Sequence, residues 1–149
     1  MKLYAAYGSN LDVNQMAVRC PDAIPVGSYM LPGYRITFRG NARGYGVANI
    51  ERRTGSVVPL GLWKISESDE ASLDIYEGYP RLYTKINIPV VLDNERTHAI
   101  VYVMTPGHHF ATPSPYYFDV VLKGYHDFGF RSARNLYYAA RNPIKDVNE

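Results

Sequence analysis

The chain has 149 residues, 46% of them hydrophobic and 20% charged, with a formal net charge of +2. This is the make-up of one globular domain, residues 1–149, long enough to bury a core, and the small charge gives no footing for a generic polyanion-binding surface. The single cysteine, Cys20, excludes an internal disulfide and an all-cysteine metal cage. No apolar run reaches the length of a membrane span or of a secretory signal, so the cytoplasm is the expected location.

Residues 3–7 are nearly all apolar and predict a strand buried on both faces. A helix follows, with Val13, Met16, Ala17 and Cys20 on its apolar face, Asn10 or Asp12 as its cap and Pro21 as its stop. Cys20 then reads as a small core residue. Tyr34, Ile36 and Phe38 alternate with Arg35, Thr37 and Arg39, the period of a half-buried strand. A loop at residues 40–44 leads to a strand at 45–50. A turn at 53–56 leads to another at 57–65.

Ser66 and Asp69 form a box-like cap for a helix that runs to Tyr76 or Glu77 and stops at Gly78 and Pro80. Residues 82–92 and 97–104 predict two strands joined by a hairpin turn at 93–96. The last third is helical. Tyr117, Val120, Val121 and Gly124 mark one apolar face, and Ala133, Leu136, Tyr137 and Ala140 another. The pattern is α+β: a mostly antiparallel sheet or barrel with helices packed outside it.

Two places carry chemistry. Tyr7-Gly8-Ser9-Asn10-Leu11 is a tight turn from strand to helix, which presents backbone N–H groups to a carboxylate or an oxyanion. It also reads as a plain connection that needs Gly8. Glu77 lies at the negative end of its helix and shares a face with Leu73. Both the helix end and partial burial raise a carboxylate pKa toward the range useful for proton transfer. The competing readings are an exposed glutamate at a frayed end, and Asp74, one turn earlier, in the same role.

Other groups read more plainly. His98, His108, His109 and His126 have no metal-ligand spacing, and His108-His109 read as a solvated loop. Arg35, Arg39, Arg43, Arg52 and Arg53 with Tyr34 and Tyr45 read as a solvated face rather than a strip for single-stranded nucleic acid. Residues 40–46 lack the lysine-serine/threonine ending of a nucleotide loop. Fourteen tyrosines suit a pocket that is apolar yet hydrogen-bonding, though core and rim positions account for most of them.

In order and spacing the chain resembles the γ-glutamylcyclotransferase family, including its γ-glutamylamine and AIG2-like branches. The resemblance rests on Tyr7-Gly8-Ser9-Asn10-Leu11, Tyr34-Arg35-Ile36-Thr37-Phe38, Val47-Ala48-Asn49-Ile50, Leu60-Gly61-Leu62-Trp63-Lys64, Leu73-Asp74, Glu77-Gly78 and Tyr83. Tyr102-Val103-Met104-Thr105 and Pro113-Ser114-Pro115 before Tyr117 complete it. Residues 77–83 resemble the γ-glutamylamine and AIG2-like branch, and residues 102–117 the glutathione-metabolism branch. The resemblance implies a small mixed, mostly antiparallel β-barrel flanked by helices, with a pocket at one mouth. It implies Glu77 as general acid/base, the loop Tyr7, Gly8, Ser9, Asn10 and Leu11 as the cradle of a γ-glutamyl group, and Tyr83 and Tyr102 as pocket tyrosines.

The implied reaction is attack of the substrate's α-amine on its own γ-carbonyl, which releases 5-oxoproline and an amine or amino acid. The expected partner is a small γ-glutamyl compound, with no metal, nucleotide or redox cofactor, no nucleic acid and no membrane. The alternative reading is a non-catalytic module that binds a γ-glutamyl or other amino-acid-like ligand. An intact Glu77 at a negative helix end favours the enzyme.

Overall fold

The computed structural model describes residues 1–141, so residues 142–149 of the expected domain lie outside the described residues. Strand β1 (Lys2–Ala6) is central. It pairs antiparallel with β3 (Gly46–Ile65) on one side and parallel with β5 (Glu95–Met104) on the other. With β2 (Ile24–Gly40) and β4 (Tyr83–Leu92) the sheet order is β2-β3-β1-β5-β4. Tyr4, Ala5 and Ala6 are buried, as the apolar run at the N-terminus predicts. A two-residue turn at Asp93 and Asn94, both at positive φ, joins β4 to β5. That conformation matches the twist of paired strands and tolerates Asp and Asn best after glycine.

The expected barrel needs correction: the sheet is not closed into one. Among the described residues no ladder joins the edge strands β2 and β4. They converge instead through a side chain. Leu92 stands so close to Gly27 that a Cβ there would lie 2.9 Å from Leu92 Cδ1. An apolar contact covers the gap where backbone hydrogen bonds would have closed the cylinder.

The long β2–β3 hairpin also differs from expectation. Residues 24–33 belong to β2 despite Pro25, Pro32 and Gly33. Prolines are tolerated because β2 is an edge strand, where a missing N–H breaks no second ladder. The turn expected at 53–56 does not end a strand. Pro32 pairs with Val57 and Tyr34 with Arg52, so residues 53–56 form an excursion opposite Gly33, and β3 then resumes.

The helices follow their caps. Between β1 and α1 (Val13–Arg19) lies one turn of 3-10 helix, Ser9–Leu11. Asp12 caps α1 by accepting from the N–H groups of Asn14 and Gln15. The helix α2 (Glu67–Tyr76) begins with the full Ser66–Asp69 capping box. It ends in a reciprocal pair of bonds, Gly78 N–H to Ile75 O and Tyr79 N–H to Asp74 O, with Gly78 at φ +62°. Glycine adopts that left-handed C-terminal position without the steric cost of a Cβ. Ser114 caps α3 (Pro115–Asp127), and α4 (Arg134–Arg141) packs on β2 through buried Leu136 and Ala139, with Tyr137 exposed rather than on the apolar face.

A short strap holds the hairpin tip. Ala111 N–H donates to Phe38 O, Gly40 N–H to His109 O, and Gly46 N–H to Thr112 O. A Cβ on Gly46 would lie 2.1 Å from Ala111 O, so the strap and the strand meet backbone to backbone. The strap delivers the chain to α3, whose first turn carries Tyr117.

Helix α3 in turn packs on the 3-10 turn through Gly124. A Cβ there would lie 2.3 Å from Leu11 Cβ and 2.7 Å from the Leu11 carbonyl carbon. Glycine to alanine in a helix interior ordinarily gains about 1 kcal/mol. Here overpacking, typically ~1–3 kcal/mol and worse against backbone, wins. Gly124→Ala should therefore lose about 1–2 kcal/mol, read as a lower urea midpoint at unchanged slope. A midpoint at or above that of the parent would mean that the contact relaxes freely.

Candidate active site

A cavity of about 300 Å³ opens beside the β1–α1 connection. Its walls include Tyr7, Gly8, Ser9 and Asn10, the α2 end at Tyr76 and Glu77, and Ala48, Tyr83, Tyr102 and Tyr117 from the far side. The structure thus brings together two sequence motifs almost 70 residues apart. Of the expected site residues, Leu11 alone turns away. It is fully buried in the core, against Gly61 and Gly124.

Among the described residues Glu77 is the one carboxylate in the cavity wall. It is the C-cap of α2, and its N–H is held by Leu73 O at 2.8 Å. By exposed area the residue is half-buried, since it faces an open cavity, but protein surrounds its carboxyl group on most sides. Burial pushes the Glu77 pKa up to about 7, and the Arg19 guanidinium opposes that rise. Asn10 Nδ2 reaches Glu77 Oε1 at 3.3 Å and Tyr4 Oη at 2.9 Å.

Asp74 has different company. It accepts from Tyr102 Oη at 2.6 Å and is ion-paired with Lys85 Nζ at 2.9 Å, and it does not line the cavity. Lys85 is shared with Glu70, which also pairs with Lys2. Of the two carboxylates at the end of α2, only Glu77 faces the cavity.

The tyrosine hydroxyls have assigned directions. Tyr7 Oη donates to Tyr102 O and Tyr83 Oη donates to Ala48 O, each at 2.7 Å. With their protons committed, these two oxygens can only accept from a further group. Tyr102 gives its proton to Asp74, so its ring rather than its hydroxyl proton serves the cavity. Tyr117 Oη accepts from Ala48 N–H at 3.0 Å and keeps a proton to donate. Burial holds Tyr4, Tyr7, Tyr83 and Tyr117 well above the ordinary phenol range, so they stay neutral.

The 3-10 turn sets the loop. Leu11 N–H is the first donor satisfied within it, by Gly8 O at 3.1 Å. The N–H groups of Ser9 and Asn10 lie ahead of that bond, as the opening donors of any helix do. The N–H groups that open α1 are satisfied elsewhere, those of Asn14 and Gln15 by Asp12 and that of Val13 by Asp127. At Gly8, a Cβ would stand 3.1 Å from Ala48 Cβ and 3.2 Å from Tyr117 Oη, so the far wall comes right up to the backbone. Ser9 Oγ and Tyr76 Oη share a hydrogen bond of 3.0 Å.

Six of the fourteen tyrosines line this cavity. Tyr4, Tyr76 and Tyr117 join it unforeseen, along with Asn41, Val47, Ala48 and Leu82. The tyrosine count was the signal for them, but their common destination needs the sheet order.

The other candidates resolve locally. Arg39 and Thr37 both hold Glu51, and Arg35 comes within 3.8 Å of it. Arg35 and Arg39 are half-buried, which corrects the expectation of a solvated face. His108 lies between Gly40 O and Thr105 Oγ1, each at 3.2 Å. Among the described residues no three His, Cys, Asp or Glu side chains are grouped to hold a metal, and no helix is long and apolar enough to cross a membrane.

Comparison with known proteins fits this geometry. A family model described as γ-glutamyl cyclotransferase, AIG2-like, matches residues 4–118, a span that contains every cavity residue from Tyr4 to Tyr117. The γ-glutamylcyclotransferases of Mus musculus and Homo sapiens are 32% and 31% identical to the chain over 131 residues, covering 82% of it and 69% of each relative. A solved structure named γ-glutamyl cyclotransferase superposes with a TM-score of 0.83 at 27% identity, covering 95% of this chain and 88% of that one. YkqA from Bacillus subtilis shares the fold, with a TM-score of 0.77 at 19% identity over 95% of this chain and 55% of its own. The match over most of the chain, with the cavity inside it, shows that this protein belongs to the γ-glutamyl cyclotransferase, AIG2-like family and is an enzyme of the cyclotransferase type.

Proposed function

We propose that the protein converts a γ-glutamyl compound to 5-oxoproline and a free amine or amino acid, with Glu77 as general acid/base. The observation that carries this reading is a carboxylate, the one among the described residues of a tyrosine-lined cavity, its pKa lifted to about 7 and set beside the 8–10 turn. A group poised near neutrality takes and returns a proton with little loss either way.

The steps follow from the groups present. The substrate's α-amine, with an unperturbed pKa of ~8, arrives mostly as ammonium. Glu77 removes a proton, while the lone pairs of Tyr7 and Tyr83 accept from the remaining N–H bonds. The amine attacks the γ-carbonyl and closes a five-membered ring. Its tether supplies an effective molarity on the order of 10⁵ M or more when well oriented. The oxyanion, or the α-carboxylate, rests on the N–H groups of Ser9 and Asn10. Protonated Glu77 then gives its proton to the departing nitrogen as the amide C–N bond breaks, and the ring nitrogen, cationic after the attack, returns its surplus proton through Glu77 to the released amine, which leaves as ammonium. One C–N bond forms, one breaks, and no external water is consumed.

The test of the reaction is its nucleophile. An N-acetylated γ-glutamyl compound should release no amine, and the free compound should yield 5-oxoproline rather than glutamate. Glutamate as the product would replace cyclisation by hydrolysis.

Glu77→Gln should keep the fold and lose at least ~10²-fold in kcat. Asp74→Asn should lose less, because Asp74 only supports Tyr102 and Lys85. The reverse ranking would transfer the role to Asp74. In the parent protein kcat/KM should rise with pH through about 7, as Glu77 ionises.

Stability should run the other way. The folded-state pKa of Glu77 is raised above its unfolded value, so well below the unfolded value of ~4.3 the group is neutral in both states and costs nothing. As pH rises from there to about 7, the unfolded chain ionises first and the folded state loses ground. Glu77→Gln should therefore be more stable than the parent at pH 8, by on the order of 1–3 kcal/mol relative to their difference at pH 4.5. Urea unfolding at both pH values measures it, and a pH-independent difference would refute the raised pKa.

The cradle has its own check. Ser9→Ala removes one hydroxyl contact and should cost no more than ~1.5 kcal/mol in transition-state binding. Gly8→Val crowds Ala48 and Tyr117 and should cost far more. Activity lost in Ser9→Ala but retained in Gly8→Val would overturn the backbone cradle.

A further inference from the structure

Arg19 does not line the cavity, yet it bonds to groups that do. Its guanidinium lies over the Tyr76 ring, 3.4 Å from the centroid. Nη2 donates to Gln15 Oε1 at 3.2 Å, and Nη1 donates to Asn10 Oδ1. The side chain thus ties the end of α1 to the 3-10 turn and to the last residue of α2 before Glu77.

A donor inventory gives this tie its meaning. Arginine has donors only, whereas the Asn10 amide has an acceptor end and a donor end. With Arg19 on the oxygen, the Asn10 NH₂ must face Tyr4 Oη and Glu77 Oε1, as it does at 2.9 and 3.3 Å. The reversed amide would set its oxygen against the Glu77 carboxylate and its NH₂ against a cation. Asn10 is 2% exposed, so water cannot readily repair either clash.

We propose that Arg19 is a positioning residue for the cyclisation: it fixes the Asn10 amide so that Asn10 donates to Glu77, and it is the cation facing that carboxylate. The inference rests on the reading of Glu77 as acid/base. Among the described residues the other titratable groups facing Glu77 are phenols: Tyr4 from β1, Tyr7 from the turn, Tyr76 from α2, Tyr83 from β4 and Tyr117 from α3. The nearby cation Lys85 is engaged by Glu70 and Asp74. Loss of Arg19 therefore removes both the amide's orientation and the positive charge that offsets the burial of Glu77.

The experiment follows Glu77 directly, apart from turnover. The glutamate side-chain carboxyls are labelled with ¹³C, the Glu77 signal is assigned by its loss in Glu77→Gln, and the signal is titrated in the parent, Arg19→Met and Arg19→Lys. In Arg19→Met the midpoint should rise by about 0.5–2 units, the scale of losing one opposite charge nearby. The rising limb of kcat/KM should move the same way, with a ~10-fold or greater loss at pH 7. Arg19→Lys restores the charge but not the planar fork, so its midpoint should return toward the parent's while kcat stays reduced. If Arg19→Met does not fold, Arg19→Gln, which keeps length and polarity, carries the same comparison. A folded neutral variant with the parent's midpoint and limb overturns the proposal. A shifted midpoint with unchanged turnover overturns the role of Arg19 in the reaction, and Glu77→Gln assayed alongside reports separately on the acid/base reading.

Discussion

Leu11 is wedged between two glycines, and the site depends on that wedge. A Cβ on Gly61 would stand 2.7 Å from Leu11 Cδ2, and one on Gly124 would stand 2.3 Å from Leu11 Cβ. The absence of both side chains lets β3 and α3 close on the 3-10 turn from two sides. Complete burial of a leucine contributes roughly 1.5–3 kcal/mol. That energy holds a three-residue turn too short to be stable by itself. With Leu11 seated, the positions of Gly8, Ser9 and Asn10 are set, and β1 on the other side has no freedom to slide.

Against this rigid floor the protein places a group it would not choose for stability. A carboxylate at the negative end of a helix, half-buried among phenols, is costly when ionised. The termination of α2 keeps it there nonetheless. Gly78 turns the chain away immediately after Glu77, and the two closing bonds leave Glu77 little room to fray toward water. Local backbone geometry here sets the protonation chemistry of a side chain.

Much of this was legible from residues whose signals are local. The Ser66–Asp69 box, the stop at Gly78 and the hairpin turn expected at 93–96 depend only on near neighbours, and the observed elements follow them, with the turn itself tightened to Asp93 and Asn94. One feature misled because the same residue chemistry serves two structures. Residues 53–56 have turn composition, but turns and bulged excursions both favour glycine, and the pairing of Pro32 with Val57 shows the latter. The first half of β2 drew no expectation from the sequence: a segment with Pro25, Gly27 and Pro32 forms a strand only at an edge, and edge position is a property of the finished sheet.

The placement of Glu77 beside the 7–11 loop was reached through the family resemblance and helix-end electrostatics. The direction of each tyrosine proton was not legible, nor was the reach of Arg19. A phenol's role depends on which carbonyl happens to face it, and Ala48 O and Tyr102 O arrive from strands far away in sequence.

The strap over the hairpin tip has a consequence for how such an enzyme diversifies. The wall that carries Glu77 comes from the β1–α1 turn and the end of α2, whereas Asn41 and Val47 belong to the β2–β3 tip, clamped separately by residues 109–112. The tip has its own backbone bonds to that strap and does not lean on Leu11 or Gly78. Insertions and exchanges at residues 41–45 can therefore reshape one rim of the cavity while leaving the surroundings of Glu77 undisturbed. The surroundings of Glu77 and the shape of the opposite rim are separable on this scaffold, because different stretches of backbone carry them.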